Sequence, residues 1–277
     1  MKKDSLYVYL ISLVLAIAAG MIYYWRFKTT DFKEESFAIF ISLLFFSIGG
    51  LFQYWFENRS RFWVNFRCLY TPLRNKEVYV SLSYLLKIKL KGTNQYLVVR
   101  GSKIQHQYQP VGGVYKRYTS SEFYFQKWQA RPRKDEDNPF DLRFFVKAHH
   151  IPEIIDWFFS RSNRETDVWR EFNEELLRTS ILPKEAFEHI DAEFLYSCPE
   201  YLILRKPFKE KQVLIYDVFE VHLSPEQESI LKEMAIRHSL TDQYGFVDEE
   251  DLDMECFTYD MKEYNLGGHT KYLKHKS

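Results

Sequence analysis

The sequence has few cysteines and no excess of charge of either sign. Its three cysteines, Cys68, Cys198 and Cys256, are widely scattered without metal-ligand spacing, which argues against a disulfide framework and favours reduced thiols packed in a core. The 38 basic residues balance the 38 acidic ones, so nothing indicates a surface that binds a nucleic-acid polymer. No internal repeat and no low-complexity linker divides the chain.

Charge is also absent from two long apolar runs near the N-terminus, at about residues 5–25 and 36–56. Each run has about 21 residues. As a helix, each would reach roughly 31 Å, enough for the roughly 30 Å hydrocarbon core of a bilayer. Tyrosines and tryptophans stand at the ends of the runs, where an aromatic belt would lie. The runs therefore predict two membrane spans.

The first run has a competing interpretation as a cleaved signal peptide. Lys2 and Lys3 precede it, and Ala16-Ile17-Ala18 resembles a cleavage site. The apolar run nevertheless continues to Trp25, which is longer than a signal core. We therefore predict a transmembrane hairpin over residues 1–58.

Small residues and basic residues of this hairpin indicate its helix packing and its orientation in the membrane. Ser12, Ala16 and Gly20 recur every four residues, a stripe that would let another helix approach closely, although small residues are common in membrane helices. Gly49 and Gly50 could act similarly, and we expect a homo-oligomer. Basic residues outside the connecting loop outnumber those within it, which favours both termini in the cytoplasm. The residues compared are Lys2, Lys3, Arg59, Arg61 and Arg67 against Arg26, Lys28 and Lys33.

The remainder of the chain reads as one soluble α+β domain with a mixed sheet and flanking helices. Alternating apolar residues from Val80 to Leu90 and the turn residues Lys91–Asn94 predict a strand hairpin. Further strands are predicted near Phe123–Phe125, 141–146, 187–196, 201–205 and 212–223, and helices over 151–159 and from Ser224 to about His238. We expect this domain to cover residues 59–264, followed by a polar tail over 265–277.

An acidic stretch at residues 170–176 is the most informative part of this domain. It reads Arg-Glu-Phe-Asn-Glu-Glu-Leu, and on a helix Glu171, Glu174 and Glu175 share one face at i, i+3 and i+4. The apolar residues between them have the spacing of a buried opposite face. Three like charges indicate either a site for a hard cation or a solvated face.

Two weaker signals accompany the acidic stretch. Ser162, followed three residues later by Glu165, predicts a capping-box start for its helix. Earlier in the chain, Gly112-Gly113 stand close to Lys116 and Arg117. Adjacent glycines near basic residues could bring backbone N–H groups to a phosphate, or simply form a loop or bulge.

The order of these features resembles the Nudix fold, whose box opens with a glycine and ends in Arg-Glu-apolar-x-Glu-Glu-x-Gly on a helix. The matching residues are Gly112, Gly113, Arg170, Glu171, Phe172, Glu174 and Glu175. The spacing between the two halves is about forty residues longer than in the family. Ser162 stands where the first-half glutamate is expected, unless Glu165 replaces it, and Leu177 replaces the closing glycine.

The order of features along the whole chain indicates a narrower family than the box alone does. Two membrane spans followed by a divergent Nudix domain, with QYQPVGGVYK before a long insert, resemble the SMODS-associated Nudix effectors of CBASS antiphage systems. In those systems a nucleotidyltransferase makes a cyclic oligonucleotide on infection, and an effector senses it and kills or arrests the cell. The resemblance implies a two-pass protein of the bacterial inner membrane, with a cytoplasmic receptor domain and a toxic hairpin.

Family analogy gives the acidic face two possible uses. In a Nudix hydrolase, Glu171, Glu174 and Glu175 would hold Mg²⁺, which bridges a diphosphate and activates water, and Arg170 would orient them. The departures from the box disfavour turnover and favour a binding module. The alternatives are a membrane-anchored, Mg-dependent Nudix pyrophosphohydrolase of nucleoside diphosphate derivatives and a structural membrane protein with a vestigial Nudix fold. Candidate ligand contacts are Gly112, Gly113, Lys116, Arg117 and Arg100 for phosphates, and Tyr108 and Tyr115 for base stacking.

Overall fold

The computed structural model describes residues 3–27, 33–101, 107–133, 138–205 and 209–274. The chain divides into two compact units, with the boundary between Thr71 and Pro72. Lys2 and Lys28, which entered the predicted orientation, lie outside the described residues.

The first unit consists of two long helices. Helix α1 covers Lys3–Ile22 and ends in a π-helical turn at Tyr23–Phe27, and helix α2 covers Lys33–Tyr70. By length and composition, both helices are long and apolar enough to cross a membrane. Helix α2 continues well past the predicted end of its span near Phe56, and its 38 residues extend roughly 57 Å at 1.5 Å per residue.

The small-residue stripe of α1 faces α2 within the same chain. The Ser12 and Ser47 hydroxyl oxygens are 2.8 Å apart in a buried hydrogen bond, and Ala16 is fully buried. A Cβ at Gly20 would lie against the ring of Phe40. The stripe does let another helix approach closely, but that helix is α2 of the same chain, so these residues are not free to join two copies.

The second unit is built on ten strands and five helices among its described residues. The strands are β1 Glu77–Lys87, β2 Tyr96–Arg100, β3 Gln107–Val114, β4 Arg131–Pro132, β5 Arg143–Lys147, β6 Asp191–Ile203, β7 Lys211–His222, β8 Tyr244–Val247, β9 Cys256–Tyr259 and β10 Lys262–Leu266. The helices are α3 Glu122–Lys127, α4 Ile151–Phe159, α5 Trp169–Phe172, α6 Pro225–Arg237 and α7 Glu249–Met254.

Strand β1 lies at the centre of a mixed sheet. It pairs antiparallel with β3 and β5 and parallel with β7, which in turn pairs with β6. Strand β3 continues the sheet to β2 and β10. Apart from its ends and the half-buried Ser81, every residue of β1 is buried. A central strand covered on both faces holds its neighbours in a fixed register, and the α+β prediction is confirmed.

One predicted strand is wrong, and two other segments are part of the folded domain. The aromatic segment Phe123–Phe125 belongs to helix α3 and packs Phe125 against the Trp157 ring of helix α4. The Pro110–Gly113 segment is part of strand β3, because Pro110 pairs with β2 and the next three residues pair with β1. The predicted tail is packed up to residue 274, since Leu273 is fully buried.

Candidate functional site

The three predicted carboxylates lie on one short helical segment. Helix α5 at Trp169–Phe172 continues as a π-helical turn over Asn173–Leu177, and together these nine residues are called the glutamate helix below. Its Phe172 and Leu176 side chains are fully buried. The apolar spacing therefore predicted the buried face correctly, and the opposite face carries the glutamates.

The glutamate helix begins six residues later than the capping-box pattern predicts. Ser162 is exposed and its hydroxyl donates to the Ser160 carbonyl oxygen at 3.3 Å. The helix starts instead at Trp169, whose N–H donates to the Asp167 carboxylate at 2.9 Å. The Ser162–Glu165 pattern failed because Glu165 is used by a different partner.

That partner is Arg170, which contacts Glu165, Glu171 and strand β3. Its guanidinium donates to both carboxylate oxygens of Glu165, each at 3.0 Å, to the Val114 carbonyl at 2.7 Å and to the Glu171 carboxylate. Glu165 also accepts the Lys116 N–H at 3.0 Å. A guanidinium matches a carboxylate in such a two-point contact. Glu165 is therefore held by Arg170, whereas Ser162 is exposed.

The two glycines of β3 allow the strand to touch the glutamate helix. Gly112 has φ of +147°, and a Cβ there would overlap the Tyr84 carbonyl oxygen. Its N–H donates to the Glu175 carboxylate at 2.9 Å. A Cβ at Gly113 would overlap the Glu171 carboxylate. The sequence-predicted glycine pair and acidic face are thus adjacent in space.

Burial alters the acidity of two of the glutamates. Burial raises the pKa of Glu175 to about 8, while the Gly112 N–H lowers it and the neighbouring Glu171 carboxylate raises it further. The pKa of Glu171 is also raised by burial, against the lowering effect of Arg170. Glu175 is therefore largely protonated at pH 7, which reduces the negative charge of the acidic face.

This shift predicts a pH-dependent stability that Glu175→Gln removes. Between the ordinary carboxyl pKa of 4.5 and about 8, the folded state holds a proton that the unfolded state has released. The free energy of unfolding should therefore fall as pH rises through this window, by on the order of 1 kcal/mol per pH unit. Urea denaturation from pH 4.5 to 8.5 should show a smaller fall for Glu175→Gln. An identical slope in the two proteins would contradict the assignment.

A cleft of about 540 Å³ opens beside the glutamate helix. One wall carries the three glutamates, and the facing wall carries Arg100, Asp242 and Gln243. Arg100 Nη1 lies 3.5 Å from Asp242 Oδ1 and donates to the Asp242 carbonyl at 3.3 Å. The other lining residues are Val99, Gly101, Thr179 and Ile181.

Sequence reasoning found Arg100 and the glutamates but missed the rest of the facing wall. Asp242 and Gln243 precede strand β8, which lies beside β2 through the pairing of Tyr244 with Val99. About 140 residues separate the two strands in sequence, and no local signal in the sequence indicates this pairing. Only the sheet brings Arg100 and Asp242 together.

Six other predicted ligand contacts do not line this cleft, namely the two glycines of β3 and four side chains. Tyr108 and Tyr115 are buried, and their hydroxyls donate to the Thr241 carbonyl at 2.6 Å and the Asp217 carboxylate at 2.9 Å. The prediction that they stack on a base is therefore wrong, because core packing covers their rings.

The two predicted basic contacts are also engaged elsewhere. Arg117 pairs with Glu122 at 2.6 Å and lies over the Phe125 ring. The Lys116 backbone pairs with Asp141 in an isolated antiparallel β-bridge, and its N–H donates to the Glu165 carboxylate. Among the described residues that line the cleft, Arg100 is the cation.

The predicted magnesium ligands do not converge as a metal site. Glu171 is held by Arg170 and Glu175 by the Gly112 N–H, while Glu174 lies 3.7 Å from Arg170 and 4.0 Å from Arg178. Within the described ranges, no group of three acidic, histidine or cysteine side chains is placed to hold a metal ion. This arrangement does not fit Mg²⁺.

Comparison with known proteins places this geometry in a family. A family model, described as the SMODS-associated NUDIX domain, matches residues 77–274. Neither the curated proteins nor the solved structures compared with the chain give a match. The match begins at the first residue of β1 and includes the glutamate helix, the glycines of β3 and both walls of the cleft. Because it spans well over half of the chain, the protein belongs to the SMODS-associated NUDIX family.

Proposed function

We propose that this protein is a membrane effector of a bacterial CBASS antiphage system. Its Nudix domain senses a cyclic oligonucleotide in the cytoplasm, and its hairpin disrupts the inner membrane, which kills or arrests the infected cell. The observation that carries the proposal is the order of the chain. Two helices long and apolar enough to span a membrane precede a SMODS-associated NUDIX domain.

The exposed surface of the first unit supports a membrane location. Large apolar side chains such as Val14, Phe45 and Trp25 are more than half exposed, and such a surface would aggregate in water. In a bilayer the same surface is solvated by lipid, and the helical backbone satisfies its own hydrogen bonds. Both termini would lie in the cytoplasm.

The cleft supports a receptor for a small polar ligand. Its volume of about 540 Å³ lies within the roughly 300–1,000 Å³ typical of small-molecule sites. Arg100 offers a positive charge to a phosphate, and the partly exposed Glu174 offers acceptors to the amino groups of a base. A ligand that binds one state of the domain preferentially would shift the hairpins by no more than its differential affinity.

The proposal is tested on the full chain in lipid nanodiscs with and without Mg²⁺. Panels of cyclic oligonucleotides and of nucleoside diphosphate conjugates are added, and melting temperature and product are followed together. A receptor is stabilised by one cyclic species without product, by about 2.7 kcal/mol at a concentration one hundred times Kd. Product formation that Glu174→Gln abolishes would contradict the receptor proposal and support a hydrolase. If neither panel stabilises the protein, the receptor proposal is contradicted and a structural membrane protein is supported.

Arg100→Ala should weaken this ligand-dependent stabilisation without altering the fold. Because Arg100 is partly exposed and pairs with a fully exposed Asp242, its loss should change the free energy of unfolding by less than about 1 kcal/mol. Loss of a charge-assisted hydrogen bond to a phosphate should weaken binding by roughly tenfold or more. Arg237→Ala, which removes another surface ion pair far along the chain, is the matched control. Equal ligand affinity in Arg100→Ala and Arg237→Ala would contradict a role for Arg100 in ligand binding.

In cells, the proposed output depends on both the signal and the hairpin. Supplying the cyclic species should arrest growth of cells with the full chain. Cells with a chain that lacks residues 1–56 should continue to grow. Arrest that persists after this deletion would contradict a toxic role for the hairpin.

A further inference from the structure

Helix α2 carries an exposed apolar face with a seven-residue repeat. Phe45, Phe52 and Phe66 share one heptad position, which is also occupied by Arg59. The two flanking positions are occupied by Ile48, Trp55, Phe62 and Leu69, and by Gly49, Phe56, Trp63 and Tyr70. The exposed fractions of its aromatic side chains range from 44% at Phe62 to 76% at Tyr70. A repeat sustained over nearly four heptads is the pattern of a helix that packs along another helix.

This face is separate from the one that α2 uses within its own chain. The opposite side of the helix is buried at Ser47, Gly50, Tyr54, Val64 and Cys68. Ser47 bonds to Ser12 of α1, and Gly50 lies against the Tyr9 ring. The exposed heptad face, Phe45 to Tyr70, is therefore not needed to hold the hairpin together.

From this geometry we propose that the heptad face is where α2 of a second copy of this chain packs, parallel and in register. The inference rests on the membrane location of the hairpin proposed above, but not on any cyclic oligonucleotide. The partner follows from where the face lies along the helix.

The face is too long to be covered by lipid. If the hydrocarbon core begins near Phe37, Trp63 and Tyr70 lie roughly 39 and 50 Å further along the axis. Both positions are past the roughly 30 Å core and most of the headgroup layer. Lipid would cover Phe45 and Phe52 but would leave Trp63, Phe66 and Tyr70 in water. These three rings form a continuous row, with centroids 5.9 Å apart at each step.

A soluble partner would have the opposite difficulty, because it could not enter the bilayer to cover Phe45 and Phe52. The partner must be a helix whose apolar face crosses from lipid into water at the same level as α2. A parallel second copy of α2 meets this requirement by symmetry. An antiparallel copy would place the part of its α2 that lies outside the bilayer, near Trp63 to Tyr70, in lipid. Two identical faces of this kind make an isologous interface.

Two residues within the face fit a close parallel pair. Apart from the adjoining backbone of α2 itself, no atom of the described residues lies within 4 Å of a Cβ built at Gly49, so the flanking Phe45 and Phe52 rings of a partner have room beside it. Arg59 lies at about the level of the headgroups, and its guanidinium lies 4.4 Å from the centroid of its own Phe56 ring. A single polar residue at a heptad core position fixes the register of such a pair.

Site-specific photo-cross-linking of the full chain in membranes tests the proposal. Benzoylphenylalanine is introduced in place of Phe52 or Phe66, which lie on the face, or of Glu57. Glu57 is exposed on the opposite side of the same helix and serves as the control. We expect dimeric adducts from Phe52 and Phe66, mapped by mass spectrometry to α2 of the second copy, and none from Glu57. Adducts to lipid or to another protein alone, or equal dimer yields at all three positions, would overturn the proposal.

A pair of charge substitutions gives an independent measurement. Phe66→Asp should abolish the dimer seen by mass photometry in nanodiscs, whereas Ser60→Asp adds the same charge at an exposed position outside the heptad face and should leave it intact. Carbonate extraction of membranes identifies which proposal has failed. A chain released by carbonate refutes the membrane hairpin, whereas a chain that stays in the membrane as a monomer refutes only the α2 interface.

Discussion

Arg170→Ala should lower the free energy of unfolding of the Nudix domain by about 3–5 kcal/mol, the usual effect of removing one partner from a buried ion pair. The guanidinium is about one-fifth exposed, and the Glu165 and Glu171 carboxylates that it holds are less so. Its removal takes the guanidinium away from both carboxylates and from the Val114 carbonyl, and Glu165 keeps the Lys116 N–H. Denaturation of the unit formed by residues 72–277, measured in urea at pH 7, gives the value.

The same variant should also lose more stability at pH 8 than at pH 5. At low pH the abandoned Glu171 carboxylate, whose pKa is already raised by burial, can take up a proton, which avoids an uncompensated buried charge. Arg178→Ala is the matched control, because Arg178 is mostly exposed and lies 4.0 Å from Glu174, so its loss should change stability by less than about 0.5 kcal/mol. Similar losses in both variants would refute the role of Arg170 as the centre of the site.

Gly112→Ala should destabilise the domain by roughly 2–3 kcal/mol, through backbone strain and a steric clash together. At φ of +147° an L side chain is strained, and the added Cβ would meet the backbone of Tyr84 and lie 3.0 Å from the Leu85 Cα. Strand β1 cannot retreat, since it is paired on both sides. The shift should also separate the Gly112 N–H from Glu175.

Gly113→Ala is the matched comparison on the next residue. Its Cβ would meet the end of the Glu171 side chain, which can rotate away, and its φ lies outside the left-handed region. We expect a smaller loss of stability, with a disturbed Glu171–Arg170 contact and a changed cleft. Thermal unfolding of the two variants side by side distinguishes backbone from side-chain clashes. A greater loss in Gly113→Ala than in Gly112→Ala would contradict this account.

Local patterns were reliable where one element and its own neighbours decide the outcome. Ser224 caps helix α6 in a capping box with Gln227, as its sequence indicates, and helix α4 has the predicted bounds. The pattern at Ser162 resembled that of Ser224 but failed, because the Glu165 carboxylate forms two hydrogen bonds with Arg170 instead. A capping signal cannot show that a stronger charged partner is nearby.

The sequence by itself determined the two long apolar helices, the glutamate face and the glycine pair, because each depends on periodicity or composition within a short stretch. Only the tertiary structure decided which of these features meet. It paired β3 with β1 so that Gly112 reaches Glu175, placed Arg100 beside Asp242 through β2 and β8, and buried Tyr108 and Tyr115. It also turned the small residues of α1 toward α2. These outcomes depend on contacts between residues far apart in sequence, where packing and hydrogen bonding favour one arrangement that no local pattern encodes.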